Sequence, residues 1–293
     1  MIANFFRLIR ITSWVKNFFV FIPLIFSLHL FELPFLSKVI VAFFLFGLAS
    51  STIYVFNDII DLDADKEHPV KRFRPLPAGK FTIKSAYLIV LILFFSTLIL
   101  SILLLDFSFT IILLIFFALN SLYTLVFKNI VLLDIFSIAT GFAIRVYAGA
   151  FVISVPISSW LILATIFVSL FLAVMKRHSE LKRFEGNSEI KSRKVLSSYS
   201  IDFTNQMATV SASGLVICYA LYTVAERTVN IFGTENLIYT TPFVVFGIFR
   251  FMYLEYINQK GENTTEIVLI DIPTIVNLFL YLLLSIMIIY KFI

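Results

Sequence analysis

Asn57-Asp58-Ile59-Ile60-Asp61-Leu62-Asp63-Ala64-Asp65 closes one of the chain's apolar runs and opens a charged one. On a helix, at about 100° per residue, Asn57, Asp58, Asp61 and Asp65 fall within roughly a third of the circumference, while Asp63 points elsewhere. Three carboxylates on one face at a low-dielectric membrane edge repel one another. A divalent cation relieves that repulsion. Hard oxygen ligands with open positions suit Mg²⁺, which binds through a few carboxylates plus substrate phosphates. A solvated acidic turn is the competing reading, and the shared face at the end of an apolar helix argues against it.

Downstream comes His68-Pro69-Val70-Lys71-Arg72-Phe73-Arg74-Pro75-Leu76-Pro77-Ala78-Gly79. Its prolines stiffen the backbone and exclude a helix. Arginine forks bind phosphate oxygens bidentately and lysine acts as a point charge. Alone, such a run is more often a lipid-headgroup anchor; beside the aspartates, Lys71, Arg72 and Arg74 read as phosphate ligands.

A second charged stretch is Met175-Lys176-Arg177-His178-Ser179-Glu180-Leu181-Lys182-Arg183-Phe184-Glu185. Lys176, Glu180 and Arg183 share a helical face, either as binding residues with Arg177 or as ordinary ion pairs; His178 reads as structural. Asp134 and Arg145 lie eleven residues apart, close to three turns, so they share a face with Gly141 and Ala148. Ionisable residues inside a span face a cavity or the bundle interior, and a structural ion pair with another span is the alternative. Lys16 and Asn17, and Tyr123 and Lys128, sit at membrane edges as binding residues or interfacial anchors.

The rest of the 293 residues fits this setting. Apolar residues make up 60%, charged residues only 14%, and mean hydropathy is +0.99, which no soluble domain of this size matches. Spans are predicted at 15–33, 37–56, 84–105, 109–127, 130–153, 157–176, 207–226, 237–256 and 272–291. The first follows Arg7, Arg10 and Lys16 like a signal peptide, but no small-residue cleavage site follows it, so it reads as an uncleaved span. With the N-terminus inside, nineteen lysines and arginines fall on the inner side and three, Lys38, Arg227 and Lys291, on the outer. The net charge of +5 therefore reflects membrane orientation rather than nucleic-acid binding. The long segments 57–83 and 177–206 fall on the inner side, where the chemistry is expected. The lone Cys218 lies in an apolar run and forms no internal disulfide.

The Asn57–Asp65 run resembles the Asn-Asp-x-x-Asp-x-x-x-Asp motif of the UbiA superfamily of membrane prenyltransferases. Within that superfamily, Trp14-Val15-Lys16-Asn17, Lys71-Arg72-Phe73-Arg74-Pro75, Gly141-Phe142-Ala143-Ile144-Arg145, Lys176-Arg177-His178-Ser179-Glu180-Leu181 and Gly261-Glu262 resemble the decaprenyl-phosphate phosphoribosyltransferase branch. The resemblance runs through most of the chain. It implies an all-α, nine-helix transmembrane domain over residues 1–293, a bundle around a central cavity in the inner (plasma) membrane. It implies transfer of phosphoribose from 5-phosphoribose 1-diphosphate to a polyprenyl phosphate, with Mg²⁺.

Asp58, Asp61 and Asp65, with Asn57, would hold the metal. Lys71, Arg72 and Arg74 would hold the donor's phosphates, and Lys16, Lys128, Arg145, Lys176 and Arg177 the lipid phosphate. Asn17, Tyr123, Asp134 and Glu180 complete the candidate binding set. Aromatic prenyltransferases of the superfamily carry a second aspartate-rich motif after the sixth span; here that stretch offers only Glu180 and Glu185 among many cations. This departure weighs against the rival reading, an aromatic-acceptor prenyltransferase using a polyprenyl diphosphate. A non-catalytic lipid or ion transporter would place its acids mid-span, whereas these lie at helix ends.

Overall fold

The computed structural model describes residues 2–186, 194–256 and 270–292. Its elements are α-helices and short 3₁₀ stretches, with no strand among the described residues. The helices are α1 (Ile2–Leu8), α2 (Ile22–Ile25), α3 (Leu33–Ile60), α4 (Leu62–Glu67), α5 (Ile83–Leu104) and α6 (Phe107–Leu125). They continue with α7 (Leu133–Val152), α8 (Ser159–Gly186), α9 (Ile201–Val224), α10 (Glu226–Phe232), α11 (Thr241–Tyr256) and α12 (Ile272–Ile289). Eight are long and apolar enough to cross a membrane, or nine spans if the bent N-terminal pair counts as one.

Several boundaries correct the sequence reading. The first span is not a straight helix over 15–33. Residues Ile11–Phe21 form a 3₁₀ stretch continuing into α2, and the path bends by 48° after α1. The acidic motif is not loop: Asn57 and Asp58 lie in the last turns of α3, Asp61 is the hinge residue, and Asp65 lies in α4. Likewise, residues 177–186 continue α8 rather than opening a loop. Hydropathy marks where lipid tolerates a residue, but backbone hydrogen bonding continues past that edge. Lys191, Arg193, Lys260 and the Gly261–Glu262 segment fall outside the described residues, as do the side chains of Arg183, Glu185 and Lys194.

Local chemistry sets the helix ends. Thr82, Asp106, Ser200 and Asp271 cap α5, α6, α9 and α12, each side chain accepting a backbone N–H from three residues on. Asp271 also takes both arms of the Arg250 fork at 2.8 and 2.9 Å, tying α12 to α11.

The 3₁₀ stretch is pressed into the bundle at two glycines. A Cβ on Gly149 would meet the Val20 carbonyl oxygen at 2.0 Å, and one on Gly47 would meet the Trp14 ring at 2.7 Å. Only glycine allows such approach. One apolar core joins this stretch to α3, α6 and α7, and a second joins α7, α8, α9 and α11. A third, with Leu8, Ile9, Val55, Ile59, Leu62 and Leu76, packs α1 and the 68–79 segment around the end of α3. It holds the acidic motif from its apolar side.

Candidate active site

Val55, Ile59 and Leu62 anchor one side of the α3–α4 junction, so the residues between them face the other way. Asp58 and Asp65 are almost fully buried. Asp63 projects outward with its side chain 97% exposed, paired with Lys66 at 3.1 Å. The helical-face expectation is met for these three.

Each inward carboxylate carries a basic partner. Arg74 Nη1 donates to Asp65 Oδ2 at 2.5 Å and to Asp58 Oδ1 at 3.3 Å. Lys71 Nζ lies 3.8 Å from Asp65 Oδ1. Arg10 pairs with Asp58, and Lys128, from the short 3₁₀ turn after α6, pairs with Asp61. Arg72 takes no part; it is exposed, stacked 4.8 Å over the Phe73 ring. Burial and the neighbouring Arg10 push the Arg74 guanidinium below its usual pKa, with Asp58 and Asp65 opposing.

Among the described residues, no three His, Cys, Asp or Glu side chains converge as a ready metal site. The repulsion that implied a divalent cation is relieved here by arginines and lysines. The donor set still suits a hard cation, because Asp58 and Asp65 already share one cationic nitrogen, Arg74 Nη1, between their oxygens.

Asp134 and Arg145 share a face of α7 but do not meet. Eleven residues separate them by about 16 Å along the axis, so each meets a different set of neighbours. Asp134, fully buried at the charged end, sits 2.9 Å from Arg177 Nε and accepts the Tyr199 hydroxyl at 2.7 Å. Arg177, also fully buried, pairs in addition with Glu180 one turn on. Tyr123 lies within electrostatic reach of Arg177, as does Glu180 of His68, so the second cluster abuts the first. Lys176 is half-buried beside Arg177. His178, buried, contacts Thr204 Oγ1 at 3.1 Å, which fits the structural reading.

Deeper in the bundle, Arg145 Nε donates to Asn17 Oδ1 at 2.7 Å and Nη2 to Ser50 Oγ at 3.2 Å. Its guanidinium carbon lies 4.7 Å from the Phe116 ring centroid. Among the described residues no carboxylate pairs with it, and the fully buried Asn17 Nδ2 has no hydrogen-bond partner. Asn57 and Lys16 are half-buried; Lys16, Arg10 and Arg145 all act electrostatically on Tyr54.

Arg10 and Tyr54 were not singled out from the sequence as site residues. Arg10 looked like one more inner-side cation, and only the tertiary fold brings it 48 residues along the chain to Asp58. The position of Tyr54, one turn before Asp58, was the available signal.

Two hollows lie at the opposite end of the bundle. One of about 180 Å³ is bordered by His29 and Arg227, the other, of about 960 Å³, by Lys38 and Asp106.

The sequence profile of the UbiA prenyltransferase family matches residues 18–287. A decaprenyl-phosphate phosphoribosyltransferase of Mycolicibacterium smegmatis is 34% identical over 234 residues, 78% of this chain and 73% of the relative. One of Mycobacterium tuberculosis is 32% identical over 226 residues, 76% of this chain and 74% of the relative. Among solved structures, a UbiA homologue from Archaeoglobus fulgidus bound to DMAPP and Mg²⁺ superposes with a TM-score of 0.68. It is 15% identical, over 98% of each chain.

Proposed function

The chain belongs to the UbiA prenyltransferase family, and on that premise we propose that it transfers phosphoribose from 5-phosphoribose 1-diphosphate to a polyprenyl phosphate, releasing diphosphate. The curated relatives bear the name of that activity. The structural observation that carries the reading is Arg145. It is a buried cation without a carboxylate partner among the described residues, beside the unpartnered Asn17 amide. A buried charge left unpaired is costly. An anion that arrives from the membrane, such as a lipid phosphate, would satisfy both groups.

The two substrates then approach from different sides. The water-borne donor meets Lys71 and Arg74 at the charged end, where its phosphates would exchange for carboxylate partners. Lys16, Asn17 and Arg145 would hold the lipid phosphate on the membrane side, with Lys128 flanking; Arg177, fully buried and already paired with Asp134 and Glu180, is not available to it. Asp58, Asp61 and Asp65, with Asn57, would hold Mg²⁺, which when bound stabilises charge on a departing diphosphate. The acceptor is already anionic, so no strong general base is required. Holding both substrates in line supplies much of the acceleration. Attack opposite the leaving group inverts the anomeric carbon, giving a β-linked lipid product from the α-linked donor. By the distribution of basic residues the charged end faces the cytoplasm; on this reading the protein acts in the plasma membrane, residues 1–293 forming one catalytic unit.

The test is to incubate purified protein and Mg²⁺ with a polyprenyl phosphate and the phosphoribosyl donor, following diphosphate release and lipid mass. A lipid mass increased by one phosphoribose is expected. Prenylation of an aromatic acid from a polyprenyl diphosphate, with no phosphoribose transfer, overturns the assignment.

A further inference from the structure

Arg10 occupies an unusual place. It stands at the 48° break between α1 and the 3₁₀ stretch, with φ 50° and ψ 53°, a left-handed conformation that is costly for a residue with a Cβ. That geometry turns its side chain inward. The guanidinium pairs with the buried Asp58 and stacks 5.0 Å over the Tyr54 ring, while the side chain keeps 23% of its surface exposed. Asp58 Oδ1 thus receives two arginines, Arg10 and Arg74, and Arg74 also holds Asp65. Around these two carboxylates stand three cations, Arg10, Lys71 and Arg74. Arg74 alone already bridges both acids, so Arg10 is a second arginine on Asp58 Oδ1.

We propose that Arg10 is a further substrate-binding residue, whose guanidinium, resting on Asp58 in the substrate-free chain, takes up diphosphate oxygens of the donor. The inference rests on the reading of the charged end as the donor site. Tyr54 positions Arg10: its ring supports the guanidinium by a cation–π contact whichever anion lies beyond. A divalent cation and Arg10 compete for Asp58, so binding of one releases the other to the diphosphate. A fork is required rather than a point charge, because bidentate contact to adjacent phosphate oxygens is what arginine provides.

The experiment uses the full chain in detergent and the variants Arg10→Gln and Arg10→Lys. Inorganic diphosphate with Mg²⁺ is titrated calorimetrically, and Mn²⁺ alone is titrated by its paramagnetic resonance signal. Arg10→Gln is expected to weaken diphosphate roughly tenfold to a hundredfold, while Mn²⁺ alone binds more tightly because a competing cation has gone. Arg10→Lys is expected to fall between. Unchanged diphosphate affinity in Arg10→Gln, or Mn²⁺ and diphosphate affinities that weaken together with the thermal midpoint, would make Arg10 a structural residue and overturn the proposal. No diphosphate binding by the parent protein overturns it too. If the parent binds diphosphate and Arg10→Gln weakens it, but phosphoribose is never transferred, the reaction assignment fails and the role of Arg10 in holding diphosphate stands.

Discussion

Two ion-pair clusters adjoin at the charged end of the bundle, and they are built differently. In the first, Asp58, Asp61 and Asp65 meet Arg10, Lys71, Arg74 and Lys128, all four of which keep part of their surface in solvent. In the second, Asp134 and Arg177 are both fully buried, and the Tyr199 hydroxyl closes the carboxylate's other side. Water can replace a counter-ion in the first cluster but not in the second. The partly open cluster is suited to exchanging partners, as a binding site must, whereas the closed one joins α7, α8 and the segment before α9. Removing one charge should therefore have opposite consequences in the two places.

The largest effects belong to the open cluster. Asp58→Asn, Asp61→Asn and Asp65→Asn should each lower turnover at least about a hundredfold, while the purified protein keeps its thermal midpoint within a few degrees. Asp63→Asn, on the exposed face, should stay near the parent. If Asp63→Asn were as inactive as the others, the inward-facing set would not be the functional one.

In the closed cluster the loss should appear in folding. Removing one partner of a buried pair costs about 3–5 kcal/mol, and replacing both with apolar groups costs much less. Arg177→Leu should fail to accumulate, and Arg177→Leu combined with Asp134→Leu should recover much of the lost material, measured by monodisperse yield and thermal midpoint. A single variant that folds normally yet is inactive would move Arg177 into the binding site and dissolve the contrast.

Arg145 sharpens the comparison from a third position. It is buried like Arg177 but has no acid to leave stranded among the described residues. Arg145→Leu should accumulate, and its Michaelis constant for polyprenyl phosphate should rise roughly tenfold or more. Poor accumulation with normal specific activity would make it a packing residue instead.

How much of this was readable from the sequence follows from the range of the forces involved. Periodicity is local, and it separated Asp58 and Asp65 from Asp63. It also placed Asp134 and Arg145 on one face, but a face does not specify depth, and the partners of each depend on which helix packs alongside. Pairs such as Lys128 with Asp61, 67 residues apart, and Arg10 with Asp58 are products of packing alone. The broken first span was hidden for a related reason. An apolar run containing Pro23 reads as a membrane segment in either conformation, and the 3₁₀ path is stabilised by Gly47 and Gly149, on helices that pack against it.

The smallest effect concerns His68, which joins the two clusters. Its Nδ1 accepts the backbone N–H groups of Val70 at 3.2 Å and Lys71 at 3.3 Å, so it shapes the turn that presents Lys71 to Asp65. Both bonds require an unprotonated Nδ1. Burial, then Lys71, hold the imidazole below its ordinary pKa, with Arg74 adding to them and Asp65 and Glu180 opposing. A folded-state pKa below the unfolded value means that the contribution is fully present above about pH 6.5 and is lost as pH falls through the folded value. Solvent screens a half-exposed group, so the change is modest: the donor's Michaelis constant should rise about twofold between pH 7 and pH 5.5 on this account. The donor's own phosphate titrates near pH 6, which makes the difference between two proteins the informative quantity. In His68→Asn the side-chain oxygen can accept similar N–H bonds without titrating, so this variant should show a flatter acid limb than the parent. Superimposable pH profiles would mean that the turn holds without His68, and that Lys71 reaches Asp65 by the rigidity of Pro69 and Pro75 alone.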